Sequence, residues 1–188
     1  QGTLQGRTSP AGAINIITKR ADVDEAEGYI QLSATDNDGL NAQVAYGAPL
    51  IEGTLAVRVA ADYDRNNGPN IQNLTTGFDD QEYKTKSGRL SAAWNATDTF
   101  SAQLIYQYLD QDLDDPKAMS GVDQRGGRPT LVPTDLKALA TTNDSAELEF
   151  DVANFIMDWE VLDHEVTGIV GYTDSSKKAY TAADRADS

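Results

Sequence analysis

The chain has 188 residues, with 15 Lys+Arg against 30 Asp+Glu, a formal net charge of −15, no cysteine, one histidine and a mean hydropathy of −0.49. These values exclude a disulfide scaffold, thiolate metal centres, cysteine nucleophiles and multi-histidine zinc sites, and the acid excess argues against binding nucleic acid through its phosphates. No apolar run approaches the roughly 18 residues of a membrane helix, but a membrane β-barrel stays open, because its half-apolar strands average out as polar.

In chain order, the first twenty residues are punctuated by Gly2, Gly6 and Gly12, which permit backbone conformations and close approaches closed to other residues. They end in the β-prone run Ile14, Ile16 and Ile17. Gln1 follows no initiator Met, basic region or apolar signal core, so a processed product or a fragment is expected. From there alternation at period two dominates and predicts seven strands, near 28–36, 41–47, 54–65, 83–96, 98–110, 146–161 and 165–175. Ile30, Leu32 and Ala34 oppose Gln31, Ser33 and Thr35, and Ala42, Val44 and Tyr46 oppose Asn41, Gln43 and Ala45. Leu55, Val57, Val59, Ala61 and Tyr63 oppose Ala56, Arg58, Ala60, Asp62 and Asp64, while Leu90, Ala92 and Trp94 oppose Arg89, Ser91 and Asn95. Phe100, Ala102, Leu104, Tyr106 and Tyr108 align in the fifth strand. The sixth changes phase: Leu148, Phe150 and Val152 share one parity, Phe155, Met157, Trp159 and Val161 the other, which predicts a bulge near Ala153 and Asn154. Helical spacing is scarce, and one short helical turn is expected at 134–140.

The connections sort by length. Those at 36–40, 48–53, around Thr97 and at 162–164 are short, whereas 66–82 and 111–145 are long, polar and rich in Gly, Pro, Asn and Asp. After the first hairpin, long loops follow odd-numbered strands and short turns follow even ones, as in an outer-membrane barrel with short periplasmic turns and long extracellular loops. Trp94, Phe100 and Trp159 lie beside the short turns; Tyr63, Tyr83, Tyr108 and Tyr172 lie toward the long loops, giving two aromatic bands such as mark the bilayer interfaces. A water-soluble β-sandwich accounts for the same periodicity and stands as the alternative, a secreted acidic module that binds carbohydrate or acts as an adhesin.

Residues 1–20, with the run Gly12-Ala13-Ile14-Asn15-Ile16-Ile17-Thr18-Lys19, resemble the end of the plug domain of TonB-dependent outer-membrane receptors. Tyr46-Gly47-Ala48-Pro49-Leu50 and Gly168-Ile169-Val170-Gly171-Tyr172 resemble early barrel strands of that family. Gln5 stands where the family usually has an aromatic residue and Ala11 where a second glycine is common. The resemblance implies an all-β fold: a partial transmembrane antiparallel barrel of about seven strands at 23–188, preceded by the C-terminal end of a plug at 1–22, in a family whose barrels have about 22 strands. It implies no enzymatic activity. The implied function is uptake of a scarce nutrient such as a ferric siderophore across the outer membrane of a Gram-negative bacterium. The implied partners are the TonB–ExbB–ExbD energising complex, engaged through an N-terminal segment outside this chain, outer-membrane lipid and a small nutrient ligand, with a monomeric barrel in the full-length protein. Gly2, Gly6, Arg7, Gly12 and Asn15 are the residues of the plug motif.

Arg58, Asp62, Asp64 and Arg89 alternate with apolar residues and are expected to face the lumen, where they pair with each other or with the plug. Asp110, Asp112 and Asp114 place carboxylates at alternate positions, as oxygen-ligand Ca²⁺ loops do, but without the glycine and distal Glu of an EF-hand. A solvated strand end explains them as well, and no other cofactor is expected. His164, between Asp163 and Glu165, reads as a turn residue, and Arg125-Gly126-Gly127-Arg128 as a flexible loop.

Overall fold

Alternation of apolar with polar residues builds one antiparallel meander, closed at one end by short turns and at the other by the first hairpin and two long connections. The computed structural model describes residues 18–36, 38–68, 71–74, 77, 81–114, 121–122, 129–131, 136–138 and 144–181, and no helix occurs among them. The strands are β1 (Glu27–Ala34), β2 (Leu40–Ile51), β3 (Leu55–Asn67), β4 (Gln72–Asn73), β5 (Glu82–Thr97), β6 (Phe100–Asp114), β7 (Gly121–Val122), β8 (Pro129–Leu131), β9 (Lys137–Ala138), β10 (Ser145–Val161) and β11 (His164–Tyr180). Seven of them form a single sheet in the order β1-β2-β3-β5-β6-β10-β11, every neighbour antiparallel, matching the seven strands that the alternation predicts. The sheet is open, with β1 and β11 as its edges.

Several of the short connections turn through a left-handed backbone. Gly53, at φ 69°, turns β2 into β3. Leu162 and Asp163, at φ 50° and 63°, make the two-residue link from β10 to β11, the backbone twist that suits adjacent antiparallel strands. His164 is therefore the first residue of β11, paired with Val161, and not part of the turn.

The register places side chains unambiguously, because residues directly opposite in an antiparallel pair share a face. One row runs Ile30, Val44, Ala61, Gly88, Tyr108; the next one toward the turns includes Tyr46, Val59, Leu90 and Tyr106. On this face also lie Leu55, Val57, Trp94, Ala102, Leu104, Phe155, Met157, Val166 and Val170. It is an apolar face, and it is exposed: Ile30, Val59, Leu90 and Leu104 are 76%, 52%, 47% and 48% accessible. Ala21, Ala45, Ala56 and Ile71 are the buried apolar residues among those described, so the sheet has little core of its own. Its strands are held by backbone ladders and cross-strand pairs, such as the edge-to-face contact of Trp94 with Phe100, whose ring centres lie 6.2 Å apart at 79°.

Three further expectations are corrected. No bulge interrupts β10, which pairs in unbroken register with β6 on one side and β11 on the other. Its phase change is instead a change of face. Lys137 and Ala138, expected in a helical turn, form β9 and pair in parallel with β4; the rest of 134–140 except Leu136 lies outside the described residues. Tyr83, opposite Leu113, lies on the other face from Tyr63, Tyr108 and Tyr172, and leaves the aromatic row to which Tyr106 belongs.

Candidate functional site

The second face of the sheet is polar and carries the charged residues that alternation singles out. Row by row it holds Glu27, Gly47, Arg58 and Ser91; Tyr29, Ala45, Ala60, Arg89 and Gln107; Gln43, Asp62 and Ser87; and Asn41, Asp64, Thr85 and Gln111. Arg58, Asp62, Asp64 and Arg89 thus share one face, as expected from their parity.

Each of the four is held by a neighbour on that face. Arg58, whose side chain is 8% exposed, donates from its guanidinium to Glu27 Oε1 at 3.1 Å. That bond crosses β2 above Gly47, where an added Cβ would stand 3.1 Å from Arg58 Cβ and 3.2 Å from its Cγ, so a side chain there would press on Arg58. Glu27 also receives Lys19, which precedes the sheet. Asn41 Nδ2 donates to Asp62 Oδ1 at 3.2 Å and to Asp64 Oδ2 at 2.9 Å, and Arg89 donates to Gln107 Oε1 at 2.8 and 3.2 Å. Asp62 and Asp64 have no cationic partner among the described residues.

The segment leading into β1 crosses this polar face at the turn end. Val23 accepts a hydrogen bond from the Gly53 amide at 2.9 Å, and Ala21 is buried. Asp22 accepts from the Asp24 and Glu25 amides at 2.9 and 3.2 Å; these bonds favour the charged form and lower its pKa. Two adjoining hollows result. One of about 260 Å³ lies between Thr18, Lys19, Tyr29, Arg58, Arg89 and Ser91. The other, about 400 Å³, extends toward the long loops between Tyr29, Asn41, Asp62, Asp64, Thr85 and Arg89.

Toward the long loops the two faces exchange polarity. On the first face Tyr108 is followed by Asp110, Asp112 and Asp114, Ala153 is preceded by Asp151, Glu149 and Glu147, and Gly88 by Lys86 and Lys84. The second face carries Leu109, Leu113, Leu148, Phe150 and Val152 over the same stretch. The six residues after Tyr108, ending at Asp114, carry the strand about 20 Å beyond the tyrosines. A row of alternate carboxylates on a strand spaces its members about 6.7 Å apart and does not curl them around a common point. Lys86 lies 3.7 Å from Asp110, and among the described residues no group of three or more His, Cys, Asp or Glu is arranged to hold a metal ion.

The two long loops meet: β4 and β9 form a parallel two-residue ladder, extended by a 2.9 Å bond from the Gln72 amide to the Leu136 carbonyl. Ile71, Asn73 and Gln81 are buried in the first of them. Gly2, Gly6, Arg7, Gly12 and Asn15 lie outside the described residues, as do Arg125 to Arg128. Sequence reasoning did not single out Asn41, Glu27 or Gln107; their parity opposite Asp64, Arg58 and Arg89 was the signal available. No family model matches the chain, and no curated protein or solved structure matches it.

Proposed function

We propose that this chain is part of the wall of an outer-membrane β-barrel, residues 23–188, entered from the end of a plug at 1–22, in a TonB-dependent receptor that takes up a scarce nutrient such as a ferric siderophore. The observation that carries the reading is the apolar face. It runs from Trp94, Phe100 and Trp159 at the turn end to Tyr63, Tyr106, Tyr108 and Tyr172 toward the long loops, and its residues are exposed or half-buried. From Phe100 to Tyr108 the band measures about 27 Å along the strand, the scale of the apolar belt of such barrels. In this reading the first face meets lipid, the polar face lines the lumen, and the paired loops 66–82 and 111–145 recognise the ligand outside the cell. The segment at 18–26 lies on the polar face, where a plug enters a lumen. The TonB–ExbB–ExbD complex supplies the energy, and the protein makes and breaks no covalent bond in its ligand.

A lipid-quenching scan of single spin labels or fluorophores along 54–64 of the intact protein tests this. Quenching by lipid-borne groups at Leu55, Val57, Val59 and Ala61, and protection at Ala56, Arg58 and Ala60, is the expected result. Absence of period-two lipid contact would end the barrel reading and leave the secreted β-sandwich module.

A further inference from the structure

The smaller of the two hollows on the polar face gathers more positive than negative charge. Lys19, Arg58 and Arg89 line it, and among the described residues the one carboxylate bonded to any of them is Glu27, which takes Lys19 and Arg58 together. Arg89 donates from Nε and Nη2 to the neutral Gln107 Oε1. Asp62 and Asp64 do not compensate these cations: they stand one and two rows beyond Arg89 toward the long loops, in the larger hollow, where Asn41 holds both.

Donors outnumber acceptors in the same way. A guanidinium carries five N–H groups. Arg58, with its side chain 8% exposed, donates from Nη1 to Glu27, and its guanidinium makes no other hydrogen bond among the described residues. Ser91 is an independent sign. It is 2% exposed, lines this hollow, and its Oγ has no hydrogen-bond partner among the described residues. A buried hydroxyl left unpaired costs free energy, whereas alanine at this position would leave no polar atom unpaired. Ser91 lies directly opposite Arg58 on β3 and two positions after Arg89 on β5, so both arginines stand within about 7 Å of it, Cβ to Cβ.

We infer that this hollow binds a small tetrahedral oxyanion of the phosphate or sulfate class, held by Arg58, Arg89 and Ser91, with Lys19 at its lip. Two guanidinium forks and a hydroxyl approach from three positions, which matches an anion whose oxygens point in several directions; a planar carboxylate satisfies one fork and leaves Ser91 unpaired. At about 260 Å³ the hollow admits such an anion with ordered water around it. The inference goes beyond the transport reading and does not rest on it, since it needs the register of β3 with β5 and not a lipid-facing role for the other side of the sheet.

The test titrates the intact protein by calorimetry with inorganic phosphate, sulfate and acetate, each in a chloride buffer of constant ionic strength. Phosphate or sulfate is expected to bind saturably, one anion per chain, about tenfold or more tightly than acetate. Arg89→Gln and Ser91→Ala are each expected to weaken that binding about tenfold, whereas Lys178→Gln, which removes a cation from the opposite face, leaves it within about twofold. The Ser91 arm separates a built site from general attraction of anions to positive charge, because it removes no charge and only one oxygen atom. In chloride alone, Ser91→Ala keeps or raises the urea midpoint, and it loses the rise in midpoint that the anion gives the unmodified protein. Absence of saturable binding by both phosphate and sulfate, acetate binding as tight as either, or binding that Ser91→Ala leaves within about twofold, would overturn the inference.

Discussion

Arg58 on β3 reaches Glu27 on β1 across the full width of β2, at 3.1 Å, over the bare backbone of Gly47. Two strands that share no ladder are thereby joined by one ion pair, and the segment before β1 is joined to both through Lys19. The pair is partly shielded, with the Arg58 side chain 8% exposed and that of Glu27 33%, so removing one partner leaves the other's charge shielded and uncompensated.

Gly47→Val is expected to destabilise the intact protein more than Glu27→Gln, because it pushes Arg58 aside and also fills the crossing. Losses of about 2–4 kcal/mol for the first and about 1–2 kcal/mol for the second are expected from urea unfolding. Equal midpoints for Gly47→Val and the unmodified protein would show that the crossing contributes nothing.

A charge on the apolar face should cost far more than one on the polar face. Leu104→Lys, midway between Phe100 and Tyr108, is expected to cost about 2–4 kcal/mol in lipid, whereas Gln31→Lys on the other face, exposed and opposite Gln43, should change stability by less than about 0.5 kcal/mol. Unfolding in detergent–lipid micelles or bilayers measures both, and similar costs for the two would contradict a lipid-facing role.

The Asp22 turn should respond to acid. Its carboxyl is held below the ordinary carboxylate value by the amides of Asp24 and Glu25, so its contribution is fully present above that ordinary value and is lost as the pH falls through the lowered one. A carboxyl titration followed by NMR should give an Asp22 midpoint below 3.8, and Asp22→Asn should loosen the 18–26 segment at neutral pH, seen as faster amide exchange at Asp24 and Glu25. A midpoint at or above that value would remove the turn's role.

Residues 1–188 expressed alone are expected not to form a closed barrel, because β1 and β11 each leave a row of backbone groups unpaired, and a lipid bilayer tolerates no such edge. Monomeric insertion into liposomes, with cooperative heat-modifiable migration on a gel, would refute this.

Much of the sheet was legible because period two is local: Leu55 to Tyr63 announce a face without reference to any other strand. So were Arg58, Asp62, Asp64 and Arg89, whose parity alone puts them on the opposite face. The misreading at Ala153 came from assuming that apolar residues keep to one face over a whole strand. They do so only up to the tyrosines; past Tyr108 and Asp151 the apolar side chains change sides, and Leu148, Phe150 and Val152 are in step with an unbroken backbone. The pairing of Gln72–Asn73 with Lys137–Ala138 has no periodic trace, since two residues are too few to show one and their partner is about 65 positions away.

The chain's two tryptophans, Trp94 and Trp159, stand on the same face and at the same end of the sheet, one beside the β5–β6 turn and the other beside the β10–β11 turn. Its intrinsic fluorescence is therefore a local gauge: emission wavelength and collisional quenching report the surroundings of that single margin. They stay blind to whatever happens at the loops.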